Sequence, residues 1–331
     1  MNTEDAANFK PFYLLKVPYL VLERVINLIE PYWIMDLVEC SKRMRSITTL
    51  FTTRQHHRLH LHFNFGIGFE FAVSLHSHTT FLFKFKSRGR RPHRFGRLLS
   101  MKKLVKYFQS VYTITFEFVE INLDIVEICD PKLIYDWLNT FGDKIQRARI
   151  YVDGERYGDG AAIETFLDNF QFSKLATMNF NADVEFKLRE NEPIFAEDLI
   201  IEPAYWVTQK YLTNLENSLT VVLEGMIWLL DWEINNFLRN LVKGSNPKLE
   251  YLKLNLKRDY NEGRILKRIV TYREDSGRVY RRNGIEQFDK GGQHFRLDNG
   301  DTATIFFYPN QENPDAPSAS IGLVIWRNEN I

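Results

Sequence analysis

The sequence predicts an α/β protein that begins with short helices, continues through repeated strand-plus-helix units and ends in β-hairpins. Three observations lead to this prediction. Apolar residues recur with a helical period near the N-terminus, a six-residue strand pattern recurs in the middle, and turn signals separate alternating runs near the end. With 331 residues, of which 44% are hydrophobic and 26% charged, the chain is long enough for about two domains with a sizeable core.

The first helical region is the stretch LLKVPYLVLERVINLIEPYWIMDLVECSKRM, residues 14–44. Within it, Leu22, Val25, Ile26 and Ile29 follow the i, i+3, i+4, i+7 spacing that places apolar side chains on one helix face. This spacing predicts an amphipathic helix.

Two prolines divide the same stretch. Pro18 suits a first helical turn, where its missing N–H costs nothing, whereas Pro31 interrupts the helix. A second apolar run then follows with Ile34, Leu37 and Val38. We therefore predict separate short helices in this region.

The order of these residues resembles the F-box. The shared features are a Val-Pro pair, an apolar stripe, a helix break, an I-x-x-L-V run and the segment C-S-K-R-M. The matching positions are Val17, Pro18, Leu22, Ile26, Ile29, Ile34, Leu37, Val38, Cys40, Lys42 and Arg43. The similarity covers about forty residues, and it leads us to assign residues 10–55 as an F-box with three helices.

This resemblance implies docking onto the Skp-type adaptor of a cullin-RING ubiquitin ligase, while the rest of the chain holds a protein substrate. Short helices that cannot bury all their apolar residues leave a surface patch, and such patches mark partner sites. The expected adaptor-binding residues are Val17, Pro18, Leu22, Ile26, Ile34, Leu37 and Val38. The periodicity by itself also fits a plain helical cap on a larger domain.

The next region predicts strands. Apolar residues alternate without a break over 59–75, where Gly66 and Gly68 predict a bend or bulge, and a second alternating run covers 81–85. The polar positions of this region include four histidines: His60, His62, His76 and His78. Imidazoles at alternate positions can hold a metal, but no acid or cysteine nearby completes the set, so we expect none.

An apolar-x-x-apolar-x-apolar pattern recurs in the middle of the chain. Its four copies are VYTITF (111–116), IQRARI (145–150), LATMNF (175–180) and LEYLKL (249–254). Helical stretches with predicted caps at Asp130, Asp159 and Asp231 separate them. This pattern is typical of a leucine-rich-repeat solenoid, here degenerate because the spacing is irregular. The alternative is a single α/β domain with right-handed βαβ crossovers.

In each six-residue strand, the residue between the last two apolar positions points away from the core, because side chains alternate along a strand. In a solenoid this face is the exposed sheet surface. The expected substrate-binding residues are Thr115, Arg149, Tyr151, Asn179, Asn181, Lys253 and Asn255, and Glu117 falls on the same face. Arg149 and Tyr151 are the expected hot spots, since Arg and Tyr dominate such surfaces.

The C-terminal third carries a second resemblance. The segments WVTQKYLTNLENS, KGSNPKLEYLKLNL and GGQHFRLDNGDTATIFF occur in the order of nematode-type F-box proteins, which carry an F-box-associated domain after the F-box. We assign residues 56–331 to that repeat-like, substrate-binding domain. Asn283-Gly284 and Asp298-Asn299-Gly300 predict hairpin turns, and 321–326 predicts a final strand.

No catalytic motif occurs: the chain has no P-loop, G-x-S-x-G or H-E-x-x-H. We therefore expect neither enzymatic activity nor a cofactor. Cys40 and Cys129 lack ligand spacing, which favours a reducing compartment, and we expect Cys40 to be buried in the helical region. The polar N-terminus does not resemble a secretory signal, and no apolar run is long enough for a membrane helix, so we expect a cytoplasmic or nuclear protein.

Two functions remain open at this point. The first is a non-catalytic subunit that links a protein substrate to a Skp-cullin-F-box ubiquitin ligase. The second is a nucleic-acid or acidic-protein binding module that uses the basic segment 84–106, because no Asp or Glu occurs from Phe71 through Phe116. The formal net charge of +1 predicts no general attraction to nucleic acid or membranes.

Overall fold

We describe the protein from a computed structural model. The structure describes residues 16–52, 56–64, 70–76, 80–86, 94–122, 131–141, 145–152, 174–179, 196–226, 229–256, 258–274, 276–282, 284–308 and 319–327. The statements below concern these residues.

Three short helices open the described chain: α1 (Tyr19–Leu28), α2 (Pro31–Cys40) and α3 (Lys42–Thr52). Pro31 is the first residue of α2, where a proline needs no hydrogen-bond partner for its nitrogen. Leu22 and Ile26 form the buried stripe of α1. The ring centroids of Tyr19 and Phe51 lie 4.7 Å apart, which joins α1 to α3.

Twelve of the described strands form one mixed sheet. They are β1 (His56–Asn64), β2 (Glu70–His76), β3 (Thr80–Lys86), β4 (Thr113–Asn122), β5 (Arg147–Tyr151), β6 (Leu175–Asn179), β7 (Asp198–Glu202), β8 (Thr220–Met226), β9 (Tyr251–Leu256), β12 (Gln293–Arg296), β13 (Thr302–Tyr308) and β14 (Ser320–Trp326). The remaining two, β10 (Val279–Arg282) and β11 (Ile285–Phe288), form a separate hairpin.

The middle of the sheet is parallel and its two ends are antiparallel. The order across the sheet is β12-β13-β14-β9-β8-β7-β6-β5-β4-β1-β2-β3. From β4 to β9 the parallel strands lie side by side in chain order, which is the arrangement that stacked strand-plus-helix units produce. At the C-terminal end, β14 joins β9 to the β12–β13 hairpin.

Five further helices lie between the strands: α4 (Arg94–Val111), α5 (Pro131–Asn139), α6 (Gln209–Thr213), α7 (Asp231–Val242) and α8 (Glu262–Ile265). Asp231 is the first residue of α7 and not its cap; Leu230 is the cap residue, and its N–H donates to Glu233 Oε2 at 2.7 Å. The helix ends before Gly244, which has φ +97°, as the position of this glycine predicts.

One apolar cluster joins the N-terminal helices to the sheet. It includes Leu22 and Phe51 from the helices, and Leu59, Ile150 and Leu254 from the strands. Thr52 Oγ1 also donates to the carbonyl of Val111 at 2.7 Å, at the end of α4. The apolar packing is therefore continuous across the predicted boundary at residues 55 and 56, and the division into two domains stays a prediction.

The β10–β11 hairpin covers part of the second face of the sheet. Tyr251 and Phe306 on the sheet are buried beneath it, and the rings of Tyr251 and Tyr280 stack with centroids 5.4 Å apart. Gly284, in the turn between the two strands, has φ +81°, a conformation that the predicted Asn-Gly turn requires. The hairpin divides this face into a covered C-terminal part and an N-terminal part that it does not reach.

The mixed α/β class is confirmed, while the F-box identity of the helices and the solenoid stay predictions. Some element bounds differ from the expectation. Val111 ends a helix, so β4 begins two residues later, and the strand 198–202 was not predicted. Half of the basic segment 84–106 belongs to α4. The predicted helix after Asp159 lies outside the described residues.

Candidate functional site on the open face of the sheet

The N-terminal part of the second sheet face carries charged side chains on adjacent strands. Along β5, Ala148 and Ile150 are buried against the helices, whereas Arg147, Arg149 and Tyr151 point to the other face. This alternation follows from the two-residue period of a strand. Ion pairs connect these side chains to β4 and β1.

Glu117 on β4 is the first organising carboxylate. Its Oε1 accepts from Arg147 at 2.8 Å and from Arg58 at 3.3 Å, and its Oε2 lies 3.1 Å from His60 Nε2. The β1–β4 register shifts here: Leu59 pairs with Phe116, and His60 pairs with Phe118. Glu117 is thus the extra residue of a β-bulge, which directs its side chain toward cations on both neighbouring strands.

Glu120 is the second organising carboxylate. Its Oε2 lies 2.9 Å from His62 Nδ1, and its Oε1 accepts from Arg149 at 3.3 Å. The guanidinium of Arg149 lies 5.0 Å from the centroid of the Tyr151 ring, a cation–π distance. We call the connected residues the charged ladder: Arg58, His60, His62, Glu117, Glu120, Arg147 and Arg149.

The pairing shifts the pKa values of the ladder. Burial alone would raise the pKa of Glu117, but the hydrogen bond with His60 and the charges of Arg58 and Arg147 outweigh it and lower that pKa. The hydrogen bond with His62 is the main cause that lowers the pKa of Glu120. Burial lowers the pKa of His60 despite its contact with Glu117. The carboxylates are therefore held ionised, and His60 favours its neutral form.

The ladder presents cations to solvent and keeps its acids beneath them. The side chains of Arg58, Arg147 and Arg149 are 61%, 48% and 47% exposed, whereas those of Glu117 and Glu120 are 17% and 20% exposed. A partner that approaches this face therefore meets guanidinium groups and the edges of aromatic rings. Surfaces of this composition suit a polar or acidic polypeptide better than a small apolar ligand.

The structure brings some predicted substrate residues together and separates others. Arg149 and Tyr151 share the open face, and Tyr151 pairs in register with Asn179 on β6. Thr115 pairs with Arg58 of the ladder. Asn181 lies outside the described part of the chain.

Lys253 and Asn255 belong to the same sheet but lie apart from this group, and their role in substrate binding stays a prediction. Both lie on β9, four strands from β5, which is roughly 19 Å at ~4.8 Å per strand. Lys253 pairs instead with Val222 and Gly322, next to the part of the sheet that the hairpin covers. Strand order, which the pattern in a single strand does not contain, causes this separation.

The sequence reasoning identified His60 and His62 on a polar face but missed their acidic partners. The available signal was the two acids three residues apart in a neighbouring strand, and only the β1–β4 pairing with its bulge brings both next to the histidines. Among the residues that the structure describes, no group of three or more His, Cys, Asp or Glu side chains is placed to hold a metal. Of the other two histidines, His76 belongs to β2 and His78 falls in an undescribed segment.

The predicted adaptor-binding residues lie mostly inside the helical region. Leu22, Ile26, Ile34 and Val38 are buried, Val17 and Leu37 are half-buried, and Pro18 is exposed. The buried four hold the helices together, so the prediction for them is support of a docking surface rather than direct contact with a partner. Among the side chains of the three helices that the structure describes, the large exposed apolar ones are Tyr19, Leu20, Val21, Leu28, Trp33 and Leu50.

Cys40 was expected to be buried, but it is exposed. It ends α2 on the side away from Val38, and its thiol donates to the carbonyl of Asp36 at 3.1 Å. Its contact is an ordinary one between residues four apart in a helix, and it identifies no reactive site.

Comparison with known families gives one match: the model of the F-box associated family matches residues 171–254. The matched range contains β6 to β9 with α6 and α7, which is the C-terminal half of the parallel sheet. No curated protein and no solved structure matches the chain significantly. No helix in the described segments is long and apolar enough to cross a membrane. The chain therefore carries a region of the F-box-associated type, which is compatible with a substrate-adaptor role in a ubiquitin ligase.

Proposed function

We propose that this protein is a non-catalytic substrate-recognition subunit of a Skp-cullin-F-box ubiquitin ligase, acting in the cytoplasm or nucleus. The observation that carries the proposal is the F-box associated match over residues 171–254, behind three N-terminal helices whose sequence resembles an F-box. In this role the protein contributes proximity: it holds the substrate near a ubiquitin carrier, and it needs no catalytic residue of its own.

The exposed side of the N-terminal helices supplies a suitable docking surface for the Skp-type adaptor. Leu20, Leu28 and Trp33 are 73%, 84% and 56% exposed. Large apolar side chains gathered in one short region are unusual on a monomer surface and are favourable to cover. Each one that a partner buries fully contributes about 1.5–3 kcal/mol of transfer free energy before the costs of association.

The charged ladder is the proposed substrate surface, with Tyr151 as its aromatic neighbour. Its guanidinium groups face outward and are held by the carboxylates beneath them, so they are pre-organised for acidic or carbonyl groups of a polypeptide. Arg149 is positioned twice, by Glu120 and by the ring of Tyr151. Because these side chains are already held in place, this protein loses little conformational entropy when a partner replaces the water at the surface.

Co-purification with a Skp-type adaptor tests the proposal. We expect Leu20→Ala combined with Leu28→Ala to weaken adaptor binding at least ~10-fold with little loss of stability, because both side chains are exposed. Leu22→Ala combined with Ile26→Ala should instead lower the free energy of unfolding by about 2–5 kcal/mol per site, since both are buried. Val270→Ala changes an exposed apolar residue outside these helices and is the matched control. The proposed docking surface is refuted if the unmodified protein does not bind the adaptor, or if the Leu20–Leu28 double variant binds it as tightly as the unmodified protein.

A second candidate function follows from α4. Its Met101 and Phe108 are buried, while Lys103 and Lys106 are exposed, so one helix presents cations from the basic segment 84–106. This favours the alternative of a nucleic-acid or acidic-protein binding module. Lys103→Glu with Lys106→Glu should abolish salt-dependent binding of a single-stranded RNA oligonucleotide if the alternative holds. If the unmodified protein binds no RNA, the nucleic-acid version of this alternative is eliminated.

A further inference from the structure

A cavity of about 490 Å³ opens at the C-terminal end of α7, away from the charged ladder. Its walls come from α7, from the segment after α8 and from the β12–β13 turn. The charged residues that line it are Arg239, Lys243, Arg268, Arg296 and Asp298. Neither the F-box resemblance nor the proposed function uses this cavity.

Backbone hydrogen bonds hold the walls in place. The N–H of Asp298 donates to the carbonyl of Val242 at 2.9 Å, which ties the β12–β13 turn to the end of α7. Tyr272 and His294 exchange two backbone hydrogen bonds of 2.9 and 2.8 Å, which attach the segment after α8 to the edge of the sheet. The cavity is thus bounded by elements that are fixed to each other.

Four cations and one carboxylate line the cavity. In the described part of the chain, Arg239, Lys243 and Arg268 form no ion pair and no side-chain hydrogen bond. Three other arginines in the C-terminal half are paired with acids: Arg258 with Asp231, Arg282 with Asp198, and Arg327 with Asp301. Clustered cations without acidic partners attract an anion, and the attraction strengthens where the walls exclude water.

Stabilisation of a helix end explains only part of this cluster. Arg239 in the last turn of α7 and the adjacent Lys243 interact favourably with the helix dipole. Arg268 and Arg296 belong to other elements, so the dipole of α7 does not account for their positions. Their convergence on the same cavity is a separate observation.

The backbone conformation at Arg268 is a further observation that favours a ligand site in the cavity. Arg268 has φ +63°, in the left-handed region that residues other than Gly, Asn and Asp rarely adopt. A glycine would adopt this conformation without strain, yet the position carries a long cationic side chain beside the cavity. Backbone conformations of this kind persist where surrounding structure enforces them, often at ligand sites.

The cavity also has an apolar wall. Val270 is 89% exposed, the largest exposed fraction among the large apolar residues of the described chain. Ile269 and Tyr272 are half-buried beside it, and Phe295 is buried behind it. A small inorganic anion would leave this wall uncovered. A nucleobase would find little aromatic surface to stack on, because the Tyr272 ring already stacks on His294 at 5.5 Å.

From this combination we propose that the cavity binds a peptide segment of a partner protein in which an anionic side chain lies next to an apolar one. The anion, a carboxylate or a phosphate, contacts Arg239, Lys243 and Arg268. The apolar side chain covers Val270 and Ile269. This site is independent of adaptor docking by the N-terminal helices, and it is separate from the charged ladder.

Fluorescence anisotropy with the full chain tests the proposal. The probe is a short labelled peptide in which glutamate alternates with leucine; a second probe has phosphoserine in place of glutamate, and a third has glutamine. We expect the first or the second to bind, and the third to bind at least ~10-fold more weakly. Comparing the first two identifies which anion the site prefers. Binding should weaken as salt is raised toward 1 M, since the Debye length then falls to ~3 Å.

Matched variants locate the binding. Arg239→Glu with Lys243→Glu should weaken the preferred peptide at least ~10-fold. Lys248→Glu with Lys290→Glu makes the same change in net charge at exposed positions outside the cavity and should leave binding unchanged. Val270→Ser should weaken the peptide ~3-fold or more by removing apolar contact.

The variant Arg268→Gly distinguishes a lost binding site from a misfolded protein. Glycine accepts the positive φ at this position, so the variant should unfold at the same temperature as the unmodified protein or higher, while peptide binding falls ~10-fold. The proposal is overturned if no anionic peptide binds the unmodified protein, or if the cavity variants bind as tightly as the control. It is also overturned if a single-stranded RNA oligonucleotide competes for the cavity more tightly than either peptide. Co-purification with a Skp-type adaptor, measured in the same variants, reports on the proposed function separately.

Discussion

The second face of the sheet has two parts, and the β10–β11 hairpin covers only one of them. Over β8, β9, β14 and β13 the face carries valine and aromatic side chains, and the β10–β11 hairpin covers it. Over β1, β4 and β5 the face carries the charged ladder, and its guanidinium groups reach solvent. Apolar surface gains free energy when it is covered, whereas paired ions on a wet face do not require cover. The comparison indicates that the covered part supports the fold and that the open part is available for a partner.

The largest expected effect lies in the covered part. Phe306 is 4% exposed and packs under the hairpin, so Phe306→Ala should lower the free energy of unfolding by about 3–5 kcal/mol. Phe118, half-buried on the open part, is the matched control, and Phe118→Ala should cost about 1 kcal/mol. Denaturant unfolding of both variants measures the difference. Equal losses of stability would mean that the hairpin does not cover the face in solution.

The second prediction concerns binding on the open part. Arg149→Ala with Tyr151→Ala should weaken substrate capture by about 2–4 kcal/mol if the pair is a hot spot. Stability should fall by only ~1 kcal/mol, because the Arg149 side chain is 47% exposed. Quantitative mass spectrometry of co-precipitated proteins, with adaptor recovery as the internal standard, measures both. Lys253→Ala, on the distant strand β9, is the control. An unchanged set of captured proteins in the double variant would remove the ladder as substrate surface.

The third prediction compares ion pairs in the two parts. Arg282 Nε donates to Asp198 Oδ1 at 2.7 Å, and the side chain of Asp198 is only 8% exposed. Arg282→Ala leaves that carboxylate nearly buried without its main partner and should cost about 1–3 kcal/mol. Arg147→Ala leaves Glu117 with His60 and Arg58, so the loss should stay below ~1 kcal/mol. Thermal unfolding of the two variants ranks them, and the reverse ranking would contradict the assigned roles.

The smallest expected effect is a dependence of stability on pH that arises in the open part. The pKa of His60 is lowered from 6.5, and those of Glu117 and Glu120 are lowered from 4.5. For each group the unfolded chain binds the proton more tightly, so its contribution is present above the ordinary pKa and is lost as pH falls through the lowered one. Unfolding free energy should therefore decrease below about pH 6.5 and again below about pH 4.5. His60→Gln should remove the upper step and leave the part of the lower step that Glu120 contributes, because Glu120 pairs with His62 and Arg149 instead. A profile that keeps the upper step would rule out His60 as its cause.

Much of the local structure was predictable because its causes are local. Pro31 separates α1 from α2 because a proline cannot continue a helix. Gly244 ends α7 because the backbone there needs a positive φ. Alternation placed Arg149 and Tyr151 opposite the core. The strand 198–202 was missed because its three apolar residues are consecutive, and so short an apolar run shows no strand period.

Relations between distant residues depend on the tertiary structure. Leu22 and Ile26 form an apolar stripe in the sequence, but the stripe alone does not tell whether a helix presents it to a partner or to its own core. The core buries both, and the side chains that remain exposed on these helices include Leu20, Leu28 and Trp33, which we propose as the docking surface.

The sequence by itself determined the helix breaks, the strand periods and the turns of this protein, since each depends on steric and hydrogen-bonding preferences within a few residues. Only the tertiary structure decided that Glu117 lies between Arg58 and Arg147, which are 59 and 30 positions away from it in the chain. It also decided that Arg239 and Arg268 share a cavity. Strand order and helix placement set such distances. The chain adopts the arrangement that minimises the free energy of the whole core, not that of any one segment.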